Sequence, residues 1–236
     1  MKEQFERTCL LLGEDAVTAL QAKRVAVFGL GGVGGAAVEA LARAGIGSFL
    51  LIDNDKVTLS NINRQVIALY STVGELKTKA MTDRILDINP AAQIDCLNTF
   101  VLSETVGEID LTSVDYVIDA IDTISGKLAI VEKCIKSGIP IISSMGAGNR
   151  LIPDFKVADI SQTKVCAVAK VMRRELKKRG IEKLKVVYSS EPAREHFDCP
   201  SLFKEGRPKK VIGSVSFVPP ALGLVLAAAV IADLTA

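Results

Sequence analysis

An apolar run over residues 25–28 stops at Gly29. Gly31, Gly32, Gly34 and Gly35 crowd in behind it, ahead of an alanine-rich run over 36–44. That order predicts a buried strand, a tight turn and a helix. Glycine admits positive φ and lets the backbone come close to a ligand. The N-terminus of the helix offers unpaired N–H groups and a partial positive charge, which suits a phosphate. A second apolar run, 48–52, ends at Asp53. A carboxylate at that remove from the first glycine is placed to accept hydrogen bonds from a ribose. The combination predicts a nucleotide site at Gly29, Gly31, Gly32, Gly34 and Asp53. The alternative is a glycine turn that only lets a helix pack closely on a strand. The motif leaves the nucleotide and the reaction open.

The pattern continues through the first two thirds of the chain. Strands are expected over 24–28, 48–52, 92–97, 114–120 and 139–143. Helices are expected over 5–20 (as one or two pieces), 75–88, ending at Asn89-Pro90, and 123–136. Alternating strand and helix argues for an α/β fold, a Rossmann-like, doubly wound, mostly parallel sheet covered on both faces. The apolar density of 114–120 suggests a central strand. After Asn149 the pattern changes to strands over 155–160 and 185–189, a basic helix over 164–179 and a mobile polar loop over 191–210. Residues 1–150 therefore read as the nucleotide-binding part. Residues 151–236 read as an extension of the same continuous fold.

Composition removes several classes. The 236 residues are 49% hydrophobic and carry a net charge of +2, so nucleic-acid binding would need local clustering. Five cysteines are scattered without a Cys-x-x-Cys pair, which argues against a zinc knuckle and a disulfide framework. A reduced, cytoplasmic setting is expected. No apolar stretch follows the first residues, so a secretory signal is not expected. Residues 217–236 carry one charge, Asp233, and open with Pro219 and Pro220, which leaves 221–234 as helix. A membrane span needs about 20 apolar residues. A buried core or dimer-interface helix is the expectation, with no membrane contact.

The chemistry concentrates after Asp53. Asp55, Asn61, Asn63, Arg64 and Gln65 follow it closely, and Lys77 comes after Gly74-Glu75. A hydride-transfer enzyme on a nicotinamide cofactor has no use for amides and cations beside the ribose. Phosphoryl or nucleotidyl transfer does, because charge builds on phosphate oxygens in the transition state. Taken singly, Arg64 could form a surface salt bridge and Lys77 could be solvated. Asp119 and Asp122 sit at the carboxyl end of the fourth strand, where open parallel sheets bind ligands. Asp122 is the better candidate for Mg²⁺, which prefers carboxylate and phosphate oxygens. Asp119 could instead cap the following turn.

These residues resemble a family. Gly29-x-Gly31-Gly32-x-Gly34, Asp53-x-Asp55-x-Val57-x-x-Ser60-Asn61-x-Asn63-Arg64-Gln65, Val73-Gly74-x-x-Lys77 and Asp119-x-x-Asp122 look like the ATP-binding core of E1-like (ubiquitin-activating-type) enzymes. The resemblance implies ATP and Mg²⁺ as cofactors. Asp53 would hold the ribose, Asn61, Arg64 and Lys77 would grip the triphosphate, and Asp122 would bind Mg²⁺. Arg7 would reach the ATP of the other subunit in a homodimer. Carrier-protein activators of the superfamily usually have two Cys-x-x-Cys pairs, absent here. Residues 186–191, 213–219, 88–90, 117–122 and 44–47 are instead similar to the tRNA threonylcarbamoyladenosine dehydratases. That implies ATP-dependent cyclisation of the modified adenosine at position 37 of tRNA. Activation of the threonyl carboxylate would be followed by attack of the ureido nitrogen of the same side chain. An adenylating activator of a small ubiquitin-like or sulfur-carrier protein is the alternative.

No Cys–His nucleophile is needed, since intramolecular attack has a high effective molarity. Cys199 beside His196 reads as a free thiol in a loop, or as a sulfur-handling contact with a cysteine desulfurase or sulfur-acceptor partner. Nine lysines and arginines fall between Lys164 and Lys185, near Arg207, Lys209 and Lys210. The resemblance makes them a tRNA contact; otherwise they read as a solvated helix face.

Overall fold

The computed structural model describes residues 3–195, 197 and 212–236. Expectations for His196, Cys199, Arg207, Lys209 and Lys210 lie outside the described residues. The core is a seven-stranded sheet in the order β3-β2-β1-β4-β5-β7-β6. Its strands are β1 (Arg24–Phe28), β2 (Ser48–Ile52), β3 (Gln93–Leu97), β4 (Tyr116–Asp119), β5 (Ile141–Ser144), β6 (Lys156–Asp159) and β7 (Lys185–Tyr188). All neighbours are parallel except β6, which runs antiparallel to β7. Phe28 is in register with Ile52 on one side and Asp119 on the other. The turns after β1, β2 and β4 therefore leave the sheet at one level.

The helices are α1 (Glu6–Leu12), α2 (Glu14–Gln21), α3 (Gly32–Ala44), α4 (Lys77–Ile88), α5 (Ile124–Ser137), α6 (Ala167–Lys178) and α7 (Val218–Leu234). On one face, Val38 and Leu41 of α3, Met81 and Ile85 of α4, and Leu222, Leu226 and Val230 of α7 share a core with Val25, Val27 and Leu51. On the other face, Ile130 and Cys134 of α5 pack on Phe28 and Val117, and Met172 and Leu176 of α6 pack on Val186. Burying one such side chain is worth about 1.5–3 kcal/mol. Chain from both sides of Asn149 builds the sheet, because β6 and β7 extend it beyond β5.

Several expected boundaries move, each for a local reason. The N-terminal helix splits at Gly13, whose φ of 89° breaks the repeat. Phe5, Val17 and Leu20 are buried and Leu12 packs partly against the core, but Leu10 and Leu11 of α1 are 88% and 84% exposed. The expected 75–88 helix begins at Lys77, after Gly74 with φ 94°. The basic helix starts at Ala167 instead of 164, because Val165 takes φ 65° and Cys166 is the N-cap. The last helix starts at Val218, ahead of the two prolines expected to precede it. Proline suits a first helical turn, where its missing N–H has no partner to lose. Among the described residues no helix is long and apolar enough to cross a membrane. Most of α7 lies instead against α3, where a Cβ on Gly223 would come within 2.2 Å of the Val33 carbonyl oxygen.

Candidate nucleotide-binding site

The glycine turn sits where the sheet order reverses, between β1 and β4. Ligands of open α/β sheets bind in the crevice at such a point. Gly29 has φ 88°, and a Cβ there would meet the Ala120 carbonyl oxygen at 2.9 Å. A Cβ on Gly34 would meet the Gly29 carbonyl oxygen at 1.8 Å, so α3 presses directly onto the end of β1. At Gly31 the nearest atom is Gln65 Nε2, at 3.9 Å, which leaves open space over the turn. Gly31 is the N-cap of α3 and no side chain caps it. The first N–H groups of the helix therefore face that space without an intrahelical partner.

Asp53 stands at the end of β2. Its Oδ2 accepts from the Leu30 N–H at 2.7 Å, and its Oδ1 from the Asp55 N–H at 2.8 Å. The carboxylate thus ties the glycine turn to the loop that follows. Each carboxylate oxygen has a second lone-pair site left for a hydroxyl. Lys77 opens α4 with its side chain 7% exposed. Its Nζ lies 2.6 Å from Asp55 Oδ2 and 3.9 Å from Asp53 Oδ1. A short 3₁₀ turn, Leu59–Asn61, carries the next residues. Asn61 Oδ1 accepts from the Thr58 N–H at 3.2 Å, so that atom caps the turn. Arg64 Nη1 donates to the Ser60 carbonyl and to Asn63 Oδ1, both at 2.9 Å. Its backbone carbonyl lies 2.9 Å from where a Cβ on Gly32 would be, and Pro219 of α7 is equally close. Gln65 is buried beside Gly31, and its Oε1 has no hydrogen-bond partner. The glycine turn, Asp53, Asp55, Asn61, Arg64, Gln65 and Lys77 are thus neighbours through this set of contacts.

Asp122 is exposed, three residues beyond Asp119 and just past the Ala120 that touches Gly29. Arg7 lies elsewhere. It is exposed on α1, and the preceding Phe5 packs at Gly45, past the far end of α3. Thirteen helical residues span about 20 Å, beyond the reach of an arginine side chain. The structure does not bring Arg7 to the glycine turn of its own chain.

Sequence reasoning missed the polar network beneath the crevice. Asp119 does offer Oδ1 to the Ile121 N–H at 3.4 Å, the capping role considered for it. Its Oδ2 accepts from Lys127 Nζ at 3.1 Å and from the Ser143 hydroxyl. Lys127 also donates to the Ser144 carbonyl at 2.7 Å, and both charged groups are almost wholly buried. A signal existed: Lys127 shares one helical face with Val131 and Cys134, four and seven positions on, and both are buried. A second missed residue is Arg150, 7% exposed, which donates from Nε to the Gly146 carbonyl at 3.0 Å and from Nη1 to the Glu191 carbonyl. Burial, helped by the Asp119 charge, pushes the Cys134 thiol up to about 12. A thiol that stays protonated and buried is no nucleophile.

The sheet order and the uncapped glycine turn at its reversal define a doubly wound, nucleotide-binding α/β protein. The chain belongs to the ThiF family, whose sequence model matches residues 5–231. It is 41% identical to a tRNA threonylcarbamoyladenosine dehydratase of Bacillus subtilis, over 99% of this chain and 95% of that protein. A molybdopterin-synthase adenylyltransferase of Escherichia coli is 34% identical over 63% of the chain and 59% of its own length. Among solved structures, the E. coli tRNA N6-threonylcarbamoyladenosine dehydratase in complex with ATP superposes with a TM-score of 0.87. The two chains are 32% identical, and the match covers 98% of this chain and 93% of that one.

Proposed function

We propose that this chain catalyses the ATP-dependent, cyclising dehydration of N6-threonylcarbamoyladenosine in tRNA. One observation carries the reading: 41% identity to a dehydratase, end to end in both chains. Likeness to the molybdopterin-synthase adenylyltransferase covers 63% of the chain, which favours the RNA substrate over a protein one. The substrate side chain ends in a carboxylate, a poor electrophile. Transfer of AMP from ATP to a carboxylate oxygen releases pyrophosphate and makes a mixed anhydride. The ureido nitrogen of the same side chain then attacks the carbonyl carbon and loses its proton. AMP departs with the oxygen, the ring closes, and the net loss is one water. Such intramolecular attacks reach effective molarities of about 10⁵–10⁸ M, so no enzyme nucleophile is required.

The chain's residues divide the work. The uncapped N–H groups behind Gly31, Gly32 and Gly34 cradle phosphate oxygens, and Gly29 lets the turn form. Asp53 accepts from the ribose while holding Leu30, and Asp55 holds Lys77 in place. Arg64 and Lys77 stabilise charge on the phosphates, with Asn61 and Gln65 donating amide hydrogens. Among the described residues no three acidic, His or Cys side chains gather at one point. Asp122 offers a single exposed carboxylate, which suits Mg²⁺, an ion that takes one or two protein carboxylates and completes its shell with phosphates and water. Bound there, the metal would supply charge neutralisation on the phosphates. Arg7 serves the site of the other subunit in a homodimer, and the setting is cytoplasmic.

The test is mass spectrometry of nucleosides from tRNA carrying threonylcarbamoyladenosine, after incubation with the purified protein, Mg²⁺ and ATP. An ATP-dependent loss of the mass of one water is expected. Unchanged nucleosides in the presence of bound ATP would overturn the reading and favour a protein substrate.

A further inference from the structure

We infer that Asn63 is a positioning residue for Arg64. It holds the guanidinium through one nitrogen, against a fixed carbonyl, so that the edge formed by Nε and Nη2 stays open to a phosphate. The inference rests on the proposed role of Arg64 at the nucleotide phosphates. It goes beyond that role in naming the residue that aims the cation and the edge the cation presents.

A guanidinium carries five N–H donors in one plane, and it takes a phosphate best with two of them side by side. On a free surface arginine that plane turns with a flexible stem, and ordering it costs side-chain entropy. In Arg64 the stem is fixed first. Its N–H donates to the Asn61 carbonyl at 3.0 Å, and its own carbonyl and Cγ lie 2.9 and 3.5 Å from where a Cβ on Gly32 would be. The head is fixed next. Nη1 donates to the Ser60 carbonyl and to Asn63 Oδ1, both at 2.9 Å. The bond to Ser60 alone would leave the plane free to swing about that contact. The second bond, to Asn63, sets the plane. Among the described residues no hydrogen bond engages Nε or Nη2 of Arg64. Those two nitrogens form one edge with two parallel N–H bonds, the fork that matches two oxygens of a phosphate.

Asn63 can aim its neighbour only if something aims Asn63. It is exposed, so packing does not fix its amide. Its Nδ2 donates to the Ser214 carbonyl at 3.1 Å, 151 positions along the chain. With Nδ2 held there, Oδ1 is left to face Arg64. Ser214 is itself a fixed point. The preceding Gly213 donates its N–H to Asn149 Oδ1 at 2.7 Å, and its carbonyl accepts from the Asn149 N–H at 2.8 Å. Asn149 lies in the turn after β5 with φ 57°, a left-handed conformation that asparagine takes more readily than most side chains. Further on, Pro219 near the start of α7 lies 2.9 Å from a Cβ placed on Gly32. The strip from Gly213 to Pro219 is therefore tied to the turn after β5 at one end and to the glycine turn at the other, with Asn63 bonded to it in between. One line of hydrogen bonds runs from Asn149 through Gly213, Ser214 and Asn63 to Arg64.

The experiment is a double-mutant cycle on ATP affinity, measured by calorimetry with Mg²⁺ on the wild type, Asn63→Ala, Arg64→Ala and the double variant. Thermal melts of the same proteins should coincide, because Asn63 is exposed. Asn63→Ala should bind ATP about three- to tenfold more weakly, the scale of a lost hydrogen bond. Asn63→Leu, which keeps the bulk and removes both bonds, should match it. In the Arg64→Ala background Asn63→Ala should change nothing, since no guanidinium remains to be aimed. Wild-type ATP affinity in both Asn63 variants overturns the inference. So does an equal loss from Asn63→Ala with and without Arg64, which would make Asn63 a fastener of the strip and nothing more. Wild-type ATP affinity in Arg64→Ala overturns the inference together with the hold of Arg64 on ATP. Coupled losses beside unaltered tRNA nucleosides retain the inference and overturn the proposed reaction alone.

Discussion

Lys77 carries two duties through one ammonium group. It pairs with Asp55 and lies near Asp53, so it braces the loop beside the glycine turn. In the proposed function it is also a cation for the phosphates. Arg64 is braced differently, by the Ser60 carbonyl and Asn63, and its backbone lies over Gly32. Removing either charge should cost turnover far more than fold: about 10²–10³ in kcat, by the scale of preorganised groups that stabilise transition-state charge. Arg64→Ala and Lys77→Ala, assayed beside circular dichroism, check this, and wild-type-like turnover in both would remove the site assignment. An Asp122→Asn protein should lose its response to added Mg²⁺ while melting normally. Lys127 is the opposite case. It touches no open space, and its truncation strands the Asp119 carboxylate in the core. Breaking such a buried pair costs about 3–5 kcal/mol. Urea unfolding of Lys127→Met should show that loss, and Lys127→Met with Asp119→Asn should recover part of it.

The elements are held by contacts that cross the whole sheet. Helix α7 closes the back of α3, and Pro219 near its start touches the Gly32 position. At its other end Asp233 accepts from the Tyr116 hydroxyl at 2.6 Å and pairs with Lys185 at 2.7 Å, which fastens the helix to β4 and β7. Burial alone would raise the Asp233 carboxyl, but hydrogen bonds from Lys185 and Tyr116 and the Lys185 charge outweigh it and hold it below the usual value of 3.8. Burial, then Asp233, drives the Tyr116 hydroxyl upward. A carboxyl whose folded pKa is depressed adds stability that is fully present above the unfolded value. That stability is lost as pH falls through the folded value. The clamp should therefore hold down to about pH 4 and fail below it. Thermal melts from pH 6 to pH 3 should show Asp233→Asn with a shallower acid decline than the wild type. Parallel curves would remove the clamp.

At the scale of the molecule, α1 packs Leu12 on the core but leaves an apolar patch outside. Leu10 and Leu11 are almost fully exposed on the same short helix as Arg7, and Arg7 cannot reach its own glycine turn. The proposed homodimer, in which each Arg7 completes the opposite site, gives a direct test. Mixing Arg7→Ala and Arg64→Ala proteins after subunit exchange should then restore activity. Half of the dimers would be mixed and half of their sites intact, so about a quarter of wild-type turnover is expected. No recovery after demonstrated exchange, or full activity in Arg7→Ala alone, would remove the role of Arg7 at the opposite site.

The sequence by itself determined the strand–turn–helix at Gly29, the parallel sheet and the clustering of Asn61, Arg64, Gln65 and Lys77. Those features are local or periodic, and local sterics and alternation encode them. It also marked 114–120 as central, and β4 does lie between β1 and β5. Helix starts at Val165–Ala167 and Val218 were less legible, since a left-handed residue and a tolerated proline pair depend on what surrounds them. Only the tertiary structure paired Lys127 with Asp119 and Asp233 with Tyr116 and Lys185, across wide gaps in sequence. It alone separated Arg173, turned into the backbone, from Lys170 and Lys177, left facing water. Residue type fixes which charges a chain has. Which of them are spent inside the fold, and which remain for a ligand, depends on partners that only packing brings within hydrogen-bond distance.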